Sequence, residues 1–332
     1  MRVNRRFIIF SISLFGAAIT SVLSGGEYLS AQTALEGHTD YVQYVAFFPD
    51  GKTLLSGAED NTIRLWDVVN ERELSIWQKT PEFDAAPSTR ILRLSDDGLL
   101  LARAGAAQGS AELWDVKKVA RIRTIQAHQR PVTGIAISGD GTVLVTFSED
   151  ECKVWDATKG KQLLSLKAPN LYSFRAAAVT SDGKVFSVAT SDKKISLFDI
   201  SSGKQLSGFD GGPGQIHSLS FSSDGKLLAS GSDGTPDITV HVWNLVDNSL
   251  IEGVLGSDQY AHSVAFSHDA HFLASGGLTV RVWDMTNHKL INEFNGHEGP
   301  VTSVAFSPDG SVLASGSEDK RVGLWKITSS NK

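Results

Sequence analysis

His38, Ser56 and Asp60 are the residue types of an acyl-transfer triad: a hydroxyl nucleophile, an imidazole base and a carboxylate that orients the imidazole. The same types return at the same spacing as His297, Ser315 and Asp319. A single active site needs one such set, so the recurrence reads as a repeated structural part. His268-Asp269-Ala270-His271 has the types to chelate a metal, but it stands where other segments carry a solvated turn; His262, on the strand before it, has no obvious convergent partner. Cys152 is the only cysteine, which leaves neither an intramolecular disulfide nor a cysteine-based zinc cluster. Beside Trp155 it reads as a small buried side chain. No amphipathic helix follows residue 26, so no glycine-rich loop opens a helix to cradle phosphate. The expectation is a chain with no catalytic set, no metal ligands and no cofactor.

The elements that would position these residues form a repeat. Leu65-Trp66-Asp67 returns as Leu113-Trp114-Asp115, Val154-Trp155-Asp156, Leu197-Phe198-Asp199, Val242-Trp243-Asn244, Val282-Trp283-Asp284 and Leu324-Trp325-Lys326, about every 43 residues. Upstream of each aromatic lies a turn: Pro49-Asp50-Gly51, Asp96-Asp97-Gly98, Gly139-Asp140-Gly141, Ser181-Asp182-Gly183, Ser223-Asp224-Gly225, His268-Asp269-Ala270 and Pro308-Asp309-Gly310. Asp-Gly suits a tight reversal because glycine accepts positive φ. Short β-branched runs such as Val301–Phe306 and Ser311–Ser315 flank these turns and read as strands.

These seven registered copies resemble the WD-repeat family of β-propellers, in an exported, bacterial-type form, and the resemblance covers roughly 31–332. It implies an all-β, seven-bladed propeller. It also implies a structural tetrad in each well-kept repeat, carried onto His38, Ser56, Asp60 and Trp66, onto His128, Thr146, Asp150 and Trp155, and onto His297, Ser315, Asp319 and Trp325. The His-to-Trp separation is 28 in the first and last of these, and the third is one residue shorter between Asp and Trp. The other four repeats depart: the second lacks His and Asp, the fourth has Phe198 for Trp, the fifth lacks the His, and the sixth has a shortened turn at Gly276-Gly277. Nothing beyond Ile327 is long enough for a final outer strand, whereas Ala31–Leu35 has no blade of its own. The first segment is therefore expected to complete the last blade and remove an exposed edge.

The family's usual partner surface carries over to Tyr41, Pro131, Tyr260 and Pro300 in the loops after the Gly-His position, and to Glu59, Glu149 and Glu318 just before the turn Asp. Three glutamates would make this face acidic and suited to a basic peptide, although Glu is also an ordinary soluble turn residue. The implied partner is a protein or peptide, with the propeller a monomer inside a larger complex. The net charge of −6, with no basic stripe in the body of the chain, argues against nucleic acid.

Residues 1–26 differ from the rest. Arg2, Arg5 and Arg6 precede the uncharged apolar run Phe7–Leu23, and small residues follow, the layout of a cleaved secretory signal. At 17 residues the run also approaches a spanning length of about 20, so an uncleaved anchor is the alternative. Residues 27–332 would then lie in the periplasm or outside the cell, free or held at the membrane through residues 7–23. The leading function is an exported, non-catalytic binding scaffold. The alternatives are a propeller enzyme, such as a lactonase or cofactor-dependent oxidoreductase, and a membrane-anchored sensor or assembly component.

Overall fold

The computed structural model describes residues 32–77, 91–169, 172–234, 239–251 and 260–327. The expected signal or anchor, residues 1–26 with its run 7–23, lies outside the described residues. Within them no helix occurs, and the strands form seven four-stranded antiparallel sheets. Six sheets use consecutive strands: blades one to six span 42–77, 92–126, 134–167, 174–210, 216–251 and 263–294. The seventh takes three strands from 301–326 and its outer strand from Gln32–Leu35, which runs antiparallel to Val322–Lys326 with Gln32 opposite Trp325 and Leu35 opposite Val322. The first and last described strands thus share one sheet, as expected.

Each blade follows the same local logic. The first, innermost strand reverses into the second through the Asp-Gly turn. In blade one Gly51 sits at φ 64°, its amide donates to the Phe48 carbonyl, and Asp50 Oδ1 accepts from the Lys52 and Thr53 amides. In blade six Ala270 takes the glycine position and is held at φ 57°. The second strands are buried along nearly their whole length, whereas the outer strands are largely exposed.

The apolar core lies between neighbouring blades. Val42, Val45, Leu54 and Trp66 of blade one pack with Ala314, Val322 and Leu324 of blade seven and with Leu35. Hydrogen bonds cross this seam from Val45 N to Ser303 Oγ (3.2 Å) and from Thr302 Oγ1 to the Val42 carbonyl. The seven inner strands surround a channel of about 480 Å³.

Candidate functional site

The triad-like residues sit inside the blades. Trp66 Nε1 can only donate, so Ser56 Oγ accepts from it at 2.7 Å. The Ser56 hydroxyl then donates to His38 Nε2 at 2.7 Å, which places the imidazole proton on Nδ1, 2.9 Å from Asp60 Oδ2. The Thr39 amide donates to the same carboxylate oxygen at 2.9 Å. Blade seven repeats the ladder: Trp325 to Ser315 at 2.7 Å, Ser315 to His297 at 2.7 Å and His297 to Asp319 at 2.7 Å. The His38 and Asp60 side chains are only 1% and 7% exposed, so the Ser56 hydroxyl has a full set of partners and no route to a substrate. Burial pushes the Asp60 carboxyl up, but hydrogen bonds from His38, Thr62 and Thr39 outweigh it and hold the group well below its ordinary value. Asp319 is held low by the same balance of burial against His297.

Blade three corrects one expectation. Trp155 and His128 both reach Thr146 Oγ1 at 2.9 Å, but Asp150 is not the fourth member. His128 Nδ1 faces Glu151 Oε2 at 3.4 Å, and Asp150 instead accepts from Ser148 Oγ at 3.1 Å. The cause is the missing residue. In blade one Ala58 N bonds the Thr62 carbonyl across a three-residue loop, whereas in blade three Ser148 N bonds the Glu151 carbonyl across two residues. The shorter loop carries Asp150 to the exposed tip and turns Glu151 inward. Burial pushes Glu151 up, but Lys153, Ser165 and Lys167 outweigh it and bring its carboxyl down to about 2.

Blade two, which lacks His and Asp, satisfies its tryptophan differently. Arg103 occupies the position of Ser56, and Glu112 Oε2 accepts from Arg103 Nε at 2.8 Å and Trp114 Nε1 at 3.0 Å. Arg121 Nη1 reaches the other Glu112 oxygen at 3.1 Å. Arg103 and Glu112 are 1% and 2% exposed. The sequence signal was present: an Arg at the hydroxyl register and a Glu two residues before the aromatic. In blade four Phe186 pairs with Phe198, so Val188 takes the hydroxyl position; in blade five Ser230 holds it, and Ser230 Oγ has no hydrogen-bond partner among the described residues. Cys152 is buried, and burial pushes its thiol up and away from the reactive thiolate. Among the described residues no group of three His, Cys, Asp or Glu could hold a metal ion. The His271 amide caps Asp269 Oδ1 at 3.0 Å, as amides do in the other turns.

The residues carried over as a partner surface gather at the channel end where the inner strands begin. Glu59 N bonds the Tyr41 carbonyl at 2.9 Å and Glu318 N the Pro300 carbonyl at 3.0 Å, so each pair is adjacent. Tyr41, Pro131 and Glu149 are exposed, and Glu59, Pro300 and Glu318 half-buried. The acidic character is weaker than three glutamates imply. Glu149 pairs with Arg130 at 2.7 Å, and Glu59 Oε1 accepts from Gln43 Nε2 at 2.8 Å. Tyr260 is half-buried against His262, with ring centroids 4.6 Å apart. His262 is in turn 5.4 Å from the ring of His217, and His217 Nε2 lies 3.4 Å from Asp233 Oδ2. The fold therefore brings together two histidines that are 45 residues apart and that sequence spacing did not connect.

The architecture and its polar ladders define a seven-bladed β-propeller of the repeat type. The family model described as WD domain, G-beta repeat matches residues 29–67, 120–156, 203–244, 252–284 and 288–326, and the chain belongs to that family. The model leaves out the tryptophan register of blade two and the phenylalanine register of blade four, where the ladders depart most. The chain is 27% identical over 232 residues to a serine-threonine kinase receptor-associated protein of Mus musculus, a match covering 70% of this chain and 61% of that protein. It is 28% identical over 207 residues to apoptotic protease-activating factor 1 of Rattus norvegicus, covering 58% of this chain and 16% of that one. A guanine nucleotide-binding protein subunit beta of Oryza sativa subsp. indica is 27% identical, covering 60% and 56%. The chain thus spans less than two thirds of the length of these relatives.

Proposed function

We propose that this propeller is an exported, non-catalytic scaffold that binds a protein or peptide at the channel end bearing Tyr41, Glu59, Pro131, Glu149, Tyr260, Pro300 and Glu318. The observation that carries the reading is a division of polar groups. The only hydroxyl-imidazole-carboxylate sets among the described residues are sealed inside blades as hydrogen-bond ladders. The exposed aromatic and loop residues collect at one end instead. Tyr41, 39% exposed, offers contact area at little entropic cost. Two relatives carry association in their names, one with a kinase receptor and one as a subunit. Export rests on the basic start and apolar run of residues 1–26.

Affinity capture from the exported compartment with tagged full-length chain tests the face. A Tyr41→Ala/Glu318→Lys double variant should lose the captured protein, and capture unchanged in that variant sinks it. N-terminal sequencing of the exported chain should place cleavage near residues 24–26; Gln32 as first residue would leave a shorter closing strand and counts against the assignment. Recovery in the membrane fraction after a salt wash would support the anchored alternative.

A further inference from the structure

The inner strands enter the channel with a shared irregularity. Pairing with the second strand skips one residue between Val42 and Tyr44, Phe174 and Ala176, Ile216 and Ser218, and Val301 and Ser303. The skipped residues are Gln43, Arg175, His217 and Thr302. Thr133 and His262 hold the same position in blades three and six, where their amides bond the Phe147 and Gly276 carbonyls at 2.8 Å. A bulge re-aims its side chain, and all six residues line the channel. Blade two's equivalent falls outside the described residues.

This ring is lopsided. Three consecutive blades, four to six, present Arg175, His217 and His262, whereas blades seven, one and three present Thr302, Gln43 and Thr133. Arg175 is exposed, and no ion pair to it occurs among the described residues. Deeper in the channel Arg93 lies over the Tyr44 ring at 5.2 Å. Among the channel-lining residues Asp96 is the one carboxylate, and its Oδ2 is engaged by Ser181 Oγ at 2.9 Å. A chain of net charge −6 thus has a cationic arc in its channel mouth.

We propose that this arc receives a carboxylate-bearing segment of the partner, with Arg175 as the charged anchor and His217 and His262 as donors that strengthen the grip when protonated. The proposal rests on the scaffold reading and supplies the partner's chemistry. Asp233 already places one carboxylate 3.4 Å from His217, so the cluster accepts that group, while its charge disfavours a dianionic phosphate. Asp233 lies against His217 and Tyr260 against His262, and Arg175 of blade four and Thr302 of blade seven line the same channel. Lys193 is turned away onto the Pro213 carbonyl, and Lys194 is paired with Asp210 at 3.0 Å. With both histidines neutral, Arg175 and Asp233 cancel; each proton added leaves a net positive charge. Glutamate stays ionised at pH 5.5, so acidification that protonates the histidines should tighten binding; burial and the neighbouring His217 hold His262 below its ordinary value.

The test is titration of capped hexaglutamate into the purified full-length chain at pH 7.5 and 5.5. The expected result is at least fivefold tighter binding at pH 5.5, at least fivefold weakening by Arg175→Gln, and a flat pH response in His217→Gln/His262→Gln. Lys226→Gln, an equal charge change in an Asp-Gly turn at the opposite end of the inner strands, should leave affinity unchanged. Near-ultraviolet circular dichroism confirms that each variant is folded. Binding insensitive to Arg175→Gln, equally sensitive to Lys226→Gln, or absent at pH 5.5 overturns the proposal, as does inorganic phosphate binding as tightly as the peptide. Its failure would leave capture through Tyr41 and Glu318 intact; loss of that capture effect with peptide binding retained would instead remove the scaffold face.

Discussion

One chemical change, serine to alanine at one register, should have opposite consequences in two blades. Ser315 and Ser230 are both fully buried on second strands, each two residues after the partner of the third strand's tryptophan. Ser315 Oγ accepts from Trp325 Nε1 and contacts His297 Nε2, each at 2.7 Å. Ser315→Ala therefore strands two polar groups in a site closed by Phe294, stacked on Trp325 at 4.9 Å. A buried group left without its partner costs about 1–3 kcal/mol, and the serine's own desolvation is recovered, so a net loss of about 2–4 kcal/mol is expected. Ser230 Oγ has no partner among the described residues to strand. Ser230→Ala removes a polar atom already buried at a cost, and should be neutral or stabilising by up to about 1 kcal/mol.

Urea unfolding followed by tryptophan fluorescence reads the difference. With a slope of about 3 kcal/mol/M, a 3 kcal/mol loss moves the midpoint down by about 1 M while Ser230→Ala leaves it in place or raises it. Ser56→Ala should behave as Ser315→Ala does, because its ladder has the same three distances within 0.2 Å. Equal midpoints for Ser315→Ala and Ser230→Ala would refute the claim that the ladder, rather than the packing around it, stabilises the blade.

Three further outcomes follow from single sites. Glu112→Ala removes the carboxylate that the buried Arg103 guanidinium pairs with and should cost about 3–5 kcal/mol in urea unfolding, with part of the loss recovered by adding Arg103→Met. Ala270→Gly relieves a left-handed backbone worth about 1–2 kcal/mol, less about 0.4–1 kcal/mol of unfolded-chain entropy, so the variant should gain about 0.5–1 kcal/mol in the same assay. Asp60 and Asp319 have folded values below the ordinary 3.8, so the unfolded chain binds their protons first; their stabilisation is complete above about pH 4 and is lost as pH falls through the folded values. The urea midpoint should decline between pH 4 and pH 2, and Asp60→Asn/Asp319→Asn should be less stable at pH 7 with a shallower decline.

The repeat was legible because its markers are local. An Asp-Gly turn, an aromatic at a fixed distance and β-branched strands are each written within one blade, and the closing strand followed from counting elements at the two ends. The ladders of blades one and seven were legible for the same reason. Asp150 was misplaced because one deleted residue changes the loop type, and the identity of the acid then passes to its neighbour. The Arg103–Glu112–Trp114 arrangement lay at readable positions but replaces a hydroxyl with an ion pair, which a search for the family's residue types does not find. The His217–His262 contact was illegible for a different reason. It exists only because bulges in two neighbouring blades turn both rings toward the same channel, and nothing in either local sequence marks that convergence.

Among the six blades whose mouth residue is described, the ladders and the mouth residues divide in the same place. Blades one, three and seven join His, hydroxyl and Trp in a ladder and present Gln43, Thr133 and Thr302; blades four, five and six lack that ladder and present Arg175, His217 and His262. A ladder fixes the loop that feeds the inner strand: the Thr39 and Glu298 amides donate to Asp60 and Asp319, whose side chains are 7% and 5% exposed. On blade five the equivalent anchor is the Gln215 amide on Asp233, a carboxylate 48% exposed. A hydrogen bond to a solvated carboxylate opens more readily than one to a buried, histidine-backed carboxylate. The amides of Thr39 and Glu298 should therefore exchange with solvent deuterium at least tenfold more slowly than that of Gln215, measured residue by residue. Equal rates would mean that the loops around the cationic arc are held as firmly as those around the neutral half, and that the ladder does not set loop rigidity. The expected order gives the mouth one fixed side and one adjustable side, with the charged residues on the side that can move to meet a partner.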